Sequence, residues 1–286
     1  MVYIVHGATG AQGSPVLHAL RTAGAQTVAA VRNSEAVTPG IAAVSVDLGD
    51  AAALTELYRD VEGVFVHLPM GAPDQVAAQA EAVGTAIAQA QPARVVISTS
   101  GQIVDQPGSP LQSPEDSPIR SLIRSTTDSG VSVAVVAPRL YLENLLLPVV
   151  LGHAQETGAL RYPLPAEFPV SWSSHLDVAD AAVQLLADTS VTGTVAVGAL
   201  PGITGPGLAD AFAQRFGSAV RYEALTPQQF GELITPMFGP AAAPVVGLYE
   251  ALGTQPENVI AEANSAQELL GLQPRAVDDW LRELGV

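Results

Sequence analysis

The chain is predicted to be an α/β protein with a doubly wound parallel sheet and a smaller C-terminal lobe. Three observations carry this. Short β-branched runs alternate with Ala-rich helical stretches through the first half. A Gly-rich turn, Gly7-Ala8-Thr9-Gly10-Ala11-Gln12-Gly13, joins the first apolar run to the first helical one. After about Gly152 the alternation loosens around Pro163, Pro165 and Pro169. Apolar strands separated by helices imply a sheet covered on both faces.

Val2-Tyr3-Ile4-Val5 is the first strand, followed by a helix from about Gly13 to Ala23. Thr27 to Val31 and Val44 to Val46 are the next two strands, and Asp50 caps a helix running through Leu57. Val64 to Val66 is a strand and Pro73 to Ala90 a long helix. Arg94 to Ser98 is a strand, Ile119 to Ser129 a helix closed by Gly130, and Val131 to Val136 another strand. A helix near Asp177 and a strand over Thr194 to Val197 return to the sheet, and Ser265 to Leu284 is amphipathic. The expected division is a nucleotide-binding domain over residues 1–150, with 172–198 rejoining its sheet, and a smaller interleaved lobe over 151–286.

Composition removes whole classes of chemistry. Among 286 residues there are 12 basic and 28 acidic side chains, a net charge of −16, and no cysteine. All twelve basic residues are arginine. Disulfides, thiolate catalysis and Cys-zinc sites are therefore excluded, as are Schiff-base and P-loop lysines. The acidic balance disfavours nucleic acid and anionic membranes. No apolar run approaches the roughly 18 residues that span a bilayer. The N-terminus has no basic leader region, so a cytoplasmic protein is expected. His6, His67, His153 and His175 show no metal-ligand spacing, so no metal is expected.

The glycine turn is the strongest chemical signal. Glycines let the backbone turn tightly and approach a diphosphate, and the following helix presents unpaired N–H groups to that anion. The second strand ends Val31-Arg32-Asn33, where NAD sites place a carboxylate. The planar fork of Arg32 suits a 2′-phosphate instead, so NADP(H) is preferred over NAD(H). Asp47-Leu48 follows the third strand; Asp47 either accepts from the adenine amino group or supports the helix after it. His67-Leu68 follows the fourth strand, at the edge where ligands bind in open sheets, with the backbone of His67 the expected contact.

At this level of detail the chain resembles the NmrA-like group of atypical short-chain dehydrogenase/reductases, a Rossmann-type family. The matching segments are GATGAQG at 7–13, VRN at 31–33, DLGD at 47–50, STSG at 98–101, PRLYLENL at 138–145, HLDVADAA at 175–182 and SAQELLGLQPRAVDDWL at 265–281. The resemblance implies a fold with a cofactor along the sheet edge. Expected cofactor contacts are Gly7, Thr9, Gly10, Ala11, Gln12, Gly13, Arg32, Asp47, Leu48, His67, Leu68, Ser98 and Asn144. Tyr141, Ser100 and His175 are the expected catalytic residues. Tyr141 and Asn144 are expected on one face of a helix beginning near Leu140. Asp177 reads as a helix cap rather than a catalytic partner of His175. Trp172 is either core or pocket wall, and Trp280 anchors the C-terminal helix.

The departures from the wider dehydrogenase pattern matter as much. Threading residues 113–130 onto Tyr-x-x-x-Lys places Glu115 and Ile119 at the two positions, and Arg124, the nearest base, is a poor proton donor. Acid assistance of about 10²–10⁴-fold is then missing. An electron-poor quinone or enone, which accepts hydride and gathers its proton later, fits better than an unactivated ketone. The expected function is an NADPH-dependent reductase for such substrates, working as a monomer or homodimer. Two other readings stand beside it: a non-catalytic NADP(H) sensor, and a cyclase or isomerase on the same fold.

Overall fold

The computed structural model describes residues 2–286. Seven strands form one parallel sheet: β1 (Val2–His6), β2 (Gln26–Val31), β3 (Ala43–Ser45), β4 (Gly63–His67), β5 (Val95–Ser98), β6 (Val133–Pro138) and, later in the chain, β8 (Gly193–Val197). Their spatial order is β3-β2-β1-β4-β5-β6-β8, so the direction of winding reverses between β1 and β4. Between them, β7 (Ala159–Tyr162) pairs in parallel with β9 (Arg221–Ala224) in a separate two-stranded sheet.

Helices α1 (Gly13–Thr22), α2 (Ala51–Tyr58), α3 (Pro73–Ala90) and α4 (Pro118–Asp128) connect the first strands. They are followed by α5 (Pro148–Thr157), α6 (His175–Ala187), α7 (Gly205–Phe216), α8 (Pro227–Phe238), α9 (Ala242–Leu252), α10 (Ala266–Leu270) and α11 (Val277–Glu283). No helix among the described residues is long and apolar enough to cross a membrane.

Successive strand residues point to opposite faces, and here both faces are dry. Val5, Ala29, Phe65, Val96 and Ala134 pack with α1 and α6 through Val16, Leu20, Val178 and Leu185. Their neighbours Ile4, Ala30, Val64, Val95 and Ile97 pack on the other side with Leu54, Val83 and Leu122 of α2, α3 and α4. A third core holds the C-terminal elements together around Tyr162, Trp172, Phe212, Phe230, Tyr249 and Trp280.

The structure corrects four local expectations. Strands β7 and β9 are too short, and too close to Pro and Gly, to announce themselves. The helix expected near Asp177 begins at His175 and is capped by Ser174, while Asp177 sits at its third position. There, Asp177 completes a reciprocal capping box and also accepts from Arg275. Tyr141 and Asn144 do not share an α-helical face: residues Leu142–Leu146 form a 3₁₀ turn, Tyr141 faces the sheet edge, and Asn144 approaches Tyr162 in the lobe. The C-terminal amphipathic stretch is two helices, α10 and α11, separated at Gly271 (φ +65°).

Two glycines of the first turn are there for different reasons. Gly7 has φ +62°, which a side chain resists. Gly13 needs no unusual dihedral; a Cβ there would lie 2.4 Å from the carbonyl oxygens of both Gly7 and His6. Its absence lets α1 seat against the end of β1. We expect Gly13→Ala to cost about 1–3 kcal/mol by overpacking, read as a lower urea midpoint. An unchanged midpoint would mean that α1 can back away from the sheet freely.

Candidate cofactor cleft and active site

A cleft of about 330 Å³ opens at the carboxyl edge of the sheet, where the winding reverses. Its walls include Gly7, Thr9 and Gly10 from the glycine turn, Arg32 after β2, Asp47 and Leu48 after β3, and His67 at the end of β4. These seven are among the sequence-expected contacts. His6, Gln75 and Gln79 also line it, with Pro69, Met70 and Gly71 on one rim. They were missed by motif reading, although their positions at the end of β1 and the start of α3 are where the switch-point rule places ligand contacts.

The turn is held by its own backbone. Gly7 N–H donates to Ala30 O at 3.1 Å and Gly10 N–H to Gly7 O at 2.7 Å, which locks the loop. The amides of Ala11 and Gln12, just before α1, have no hydrogen-bond partner among the described residues. The Arg32 side chain is exposed at the cleft wall, while its carbonyl is held by Ser45 Oγ at 2.8 Å. Asp47 Oδ1 accepts from Gly49 N–H at 2.8 Å, a local turn, and the helix cap itself is Asp50.

Ala11, Gln12, Gly13, Leu68, Ser98 and Asn144 do not line this cleft. Gln12 and Ser98 instead belong to a second group with Ser100 and Tyr141. Ser98 Oγ donates to Gln12 Oε1 at 2.9 Å, and Tyr141 OH donates to the same oxygen at 3.1 Å. Gln12 Nε2 donates to Ser100 Oγ at 3.1 Å, and Ser100 N–H donates to Ser98 Oγ at 3.3 Å. The orientation of the Gln12 amide sets the proton directions. Ser98 and Tyr141 spend their hydroxyl protons on Gln12. Ser100 accepts from Gln12 and retains its own proton to give away. Ser100 also has φ +55°, a left-handed conformation costly for a residue with a Cβ.

His175 packs against Tyr141 with ring centroids 4.3 Å apart and ring planes tilted by 50°. Burial, helped by the neighbouring His67, pushes its pKa down to about 4, so the ring is neutral at physiological pH. Burial raises the Tyr141 phenol, against the lowering effect of Ser98, and keeps it protonated. Behind them lies Glu143, which motif reading did not single out. Its Oε1 accepts from His175 N–H at 2.9 Å and from Trp280 Nε1 at 3.2 Å, tying α11 to the site. Burial raises its carboxyl pKa, opposed by the His175 amide bond. Glu115 is exposed and pairs with Arg120 at 3.7 Å, away from this group, and the Arg124 guanidinium reaches Ser121 and the Glu115 carbonyl.

The parallel sheet, with its glycine turn at the carboxyl edge and a cleft where the winding reverses, defines an α/β protein of Rossmann type. The chain belongs to the NmrA-like family, whose profile matches residues 2–281. A sequence comparison with curated proteins gives no match. Among solved structures, it is similar to the triphenylmethane reductase of Citrobacter sp., at 17% identity and TM-score 0.81, with all of both chains covered. It is also similar to an NADPH-dependent quinone oxidoreductase of Escherichia coli bound to NADPH, at 20% identity and TM-score 0.73 over the whole of both chains. A nucleoside-diphosphate-sugar epimerase of Staphylococcus aureus gives 18% identity and TM-score 0.78, covering 99% of this chain and 100% of that one. At these identities the likeness establishes the shared fold.

Two predictions follow from the site. Arg32→Asp should weaken NADPH binding by more than about tenfold and spare NADH, since a charged hydrogen bond is worth about 1.5–3 kcal/mol; equal NADPH affinity by calorimetry would remove the 2′-phosphate assignment. For Glu143, a raised native pKa means that the folded state binds the proton more tightly. Stability then falls as pH rises from 4.5 through the native value. Glu143→Gln keeps the Oε1 acceptor and removes the charge, so its melting temperature relative to the parent should rise between about pH 4 and about pH 8. A pH-independent difference would refute the buried-carboxyl account.

Proposed function

We propose that the chain is an NADP(H)-dependent reductase that delivers hydride to a small conjugated carbonyl compound of quinone or enone type. The observation that carries this reading is the hydroxyl group of Ser100, oriented by Gln12 to donate, on a strained residue just past β5, whose last residue Ser98 pairs with His67 of the cleft wall. The turn and the cleft suit the group: the unpaired amides of Ala11 and Gln12, which follow the cleft-lining Gly10, for the diphosphate, and the Arg32 guanidinium for a 2′-phosphate. NADPH, when bound, supplies hydride. The similar E. coli structure holds NADPH, which supports the choice of cofactor.

In this reading the substrate carbonyl oxygen accepts from Ser100, and the flat ring lies against the Tyr141–His175 pair. Hydride adds to the electron-poor substrate, and the resulting oxyanion is held by Ser100 until water supplies the proton, giving hydroquinone or saturated ketone. Ser98 and Tyr141 hold Gln12 in place rather than donate to substrate. The neutral His175 is a wall rather than an acid. The lobe over residues 151–286 closes the substrate side through Glu143 and Trp280. The sensor reading has one observation in its favour, the exposed Glu115 where other dehydrogenases carry the catalytic tyrosine.

Single-turnover mixing of the protein and NADPH with a panel of quinones, enones and triphenylmethane dyes tests the assignment. Loss of reduced-nicotinamide absorbance is expected; tight NADPH binding without consumption would replace the enzyme with the sensor. Ser100→Ala should lower turnover about 10–100-fold, the scale of one lost charged hydrogen bond, without changing NADPH affinity. Gln12→Glu accepts from all three hydroxyls and draws the Ser100 proton away from substrate. Its defect should therefore vanish in a Ser100→Ala background. Additive losses in the double variant would separate Gln12 from Ser100.

A further inference from the structure

His67 poses a problem that the fold does not solve. It ends β4 directly beside Ser98 of β5, and the residue is part of the cleft wall. Both ring nitrogens are shut off from solvent, and neither makes a hydrogen bond of normal geometry among the described residues; only the Leu68 backbone acts on the ring as a weak polar neighbour. A buried polar atom without a partner costs about 1–3 kcal/mol, a cost that a ligand in contact removes. Its position says which ligand. A Cβ on Gly7 would lie 2.5 Å from His67 Nε2, so the ring fills the space that the first glycine leaves and rests on the turn itself. The same turn offers the unpaired amides of Ala11 and Gln12.

We propose that the His67 imidazole is a ligand of the dinucleotide's diphosphate bridge, and that it takes up a proton as the cofactor binds. This rests on the NADP(H) reading above and adds to the main-chain cradle a side chain whose charge depends on pH. Glycine-turn amides are fixed dipoles. An imidazolium over the same anion adds a full charge and a donor, in a protein whose net charge of −16 otherwise repels the ligand.

The groups around His67 allow this ring to be the titrating one. His6 on β1 is held neutral, its pKa pushed down to about 3 by burial and by His67, and its Nε2 is engaged with Tyr58 OH at 2.8 Å. His175 on α6 is also neutral near pH 7. Across the cleft stand the Arg32 guanidinium and the Asp47 carboxylate, and Gln75 and Gln79 from α3 are uncharged. Burial lowers the His67 pKa, with the Leu68 backbone opposing, so the ring is neutral without ligand. An anion in contact raises it. Between the two values, binding consumes protons, and affinity falls as pH rises.

Calorimetric titration of the full chain with NADPH, from about pH 6 to about pH 8.5 in buffers of different ionisation heat, measures both affinity and proton count. The parent should take up protons at the acid end and lose affinity about tenfold or more across the range. His67→Gln keeps a side-chain donor but cannot titrate. It should take up fewer protons, bind more weakly at about pH 6, and converge on the parent at about pH 8.5. The 2′-phosphate titrates in both proteins and cancels in the comparison. His67→Asn, with a melting curve as the folding check, repeats the test should the glutamine perturb the turn. Identical affinity and proton count in parent and variants overturns the proposal. So does a uniform loss of affinity with an unchanged proton count, which would put His67 on a ribose hydroxyl. If the parent itself binds no pyridine nucleotide, the cofactor reading falls and takes the proposal with it, a result distinct from either.

Discussion

The seat of α1 on the end of β1 is the constraint on which the site depends. A Cβ at Gly13 would stand 2.4 Å from two carbonyl oxygens, so only glycine allows the helix to start so close to the strand. That proximity fixes the first turn of α1 over the sheet edge. Gln12, immediately before it, makes no side-chain cap, and its amide crosses to β5 and to the segment after β6. The same approach places Gly7, Thr9 and Gly10 on the cleft wall. The cleft wall and the hydroxyl group are thus two sides of one close contact between helix and strand.

In the proposed reductase, neutral parts stand where ordinary dehydrogenases use a charged lysine. A primary amide has a fixed acceptor side and a fixed donor side. Held by two hydroxyls on the acceptor side, it has one direction left for the third. The Tyr141 phenol, raised by burial, and the His175 ring, kept neutral by burial, are then poor proton sources. The chemistry that remains is positional, and it suits acceptors that need little acid help.

Arginine is divided between architecture and recognition in a chain without lysine. Arg94 is fully buried and binds the carbonyls of Leu185, Asp188 and Val191, tying β5 to the end of α6 and the approach to β8. Arg139 is buried against both oxygens of Asp105, holding the loop after β5 to the end of β6. Arg275 links Asp177, Asp180 and Glu283, fastening the C-terminal segment to α6. Arg32, by contrast, presents its guanidinium at the cleft, which is why its position after β2 carries weight.

Local pattern alone was enough for the parallel sheet, since each of its seven strands is a short apolar run and each connecting helix an amphipathic or Ala-rich one. The places of Gly7, Gly10, Arg32 and His67 along the cleft were readable too, because backbone geometry and the sheet's carboxyl edge are set by neighbours in sequence. Other features were not. The partners of Gln12 lie 86, 88 and 129 residues away, and no spacing rule reaches that far. Strands β7 and β9 find each other across the whole of α6 and β8. Glu143 gained its role when α11 brought Trp280 against it. Periodicity encodes which face of an element is dry; which hydroxyl keeps its proton is decided when distant elements meet, because a hydrogen bond depends on distance and angle between atoms that the chain does not hold together.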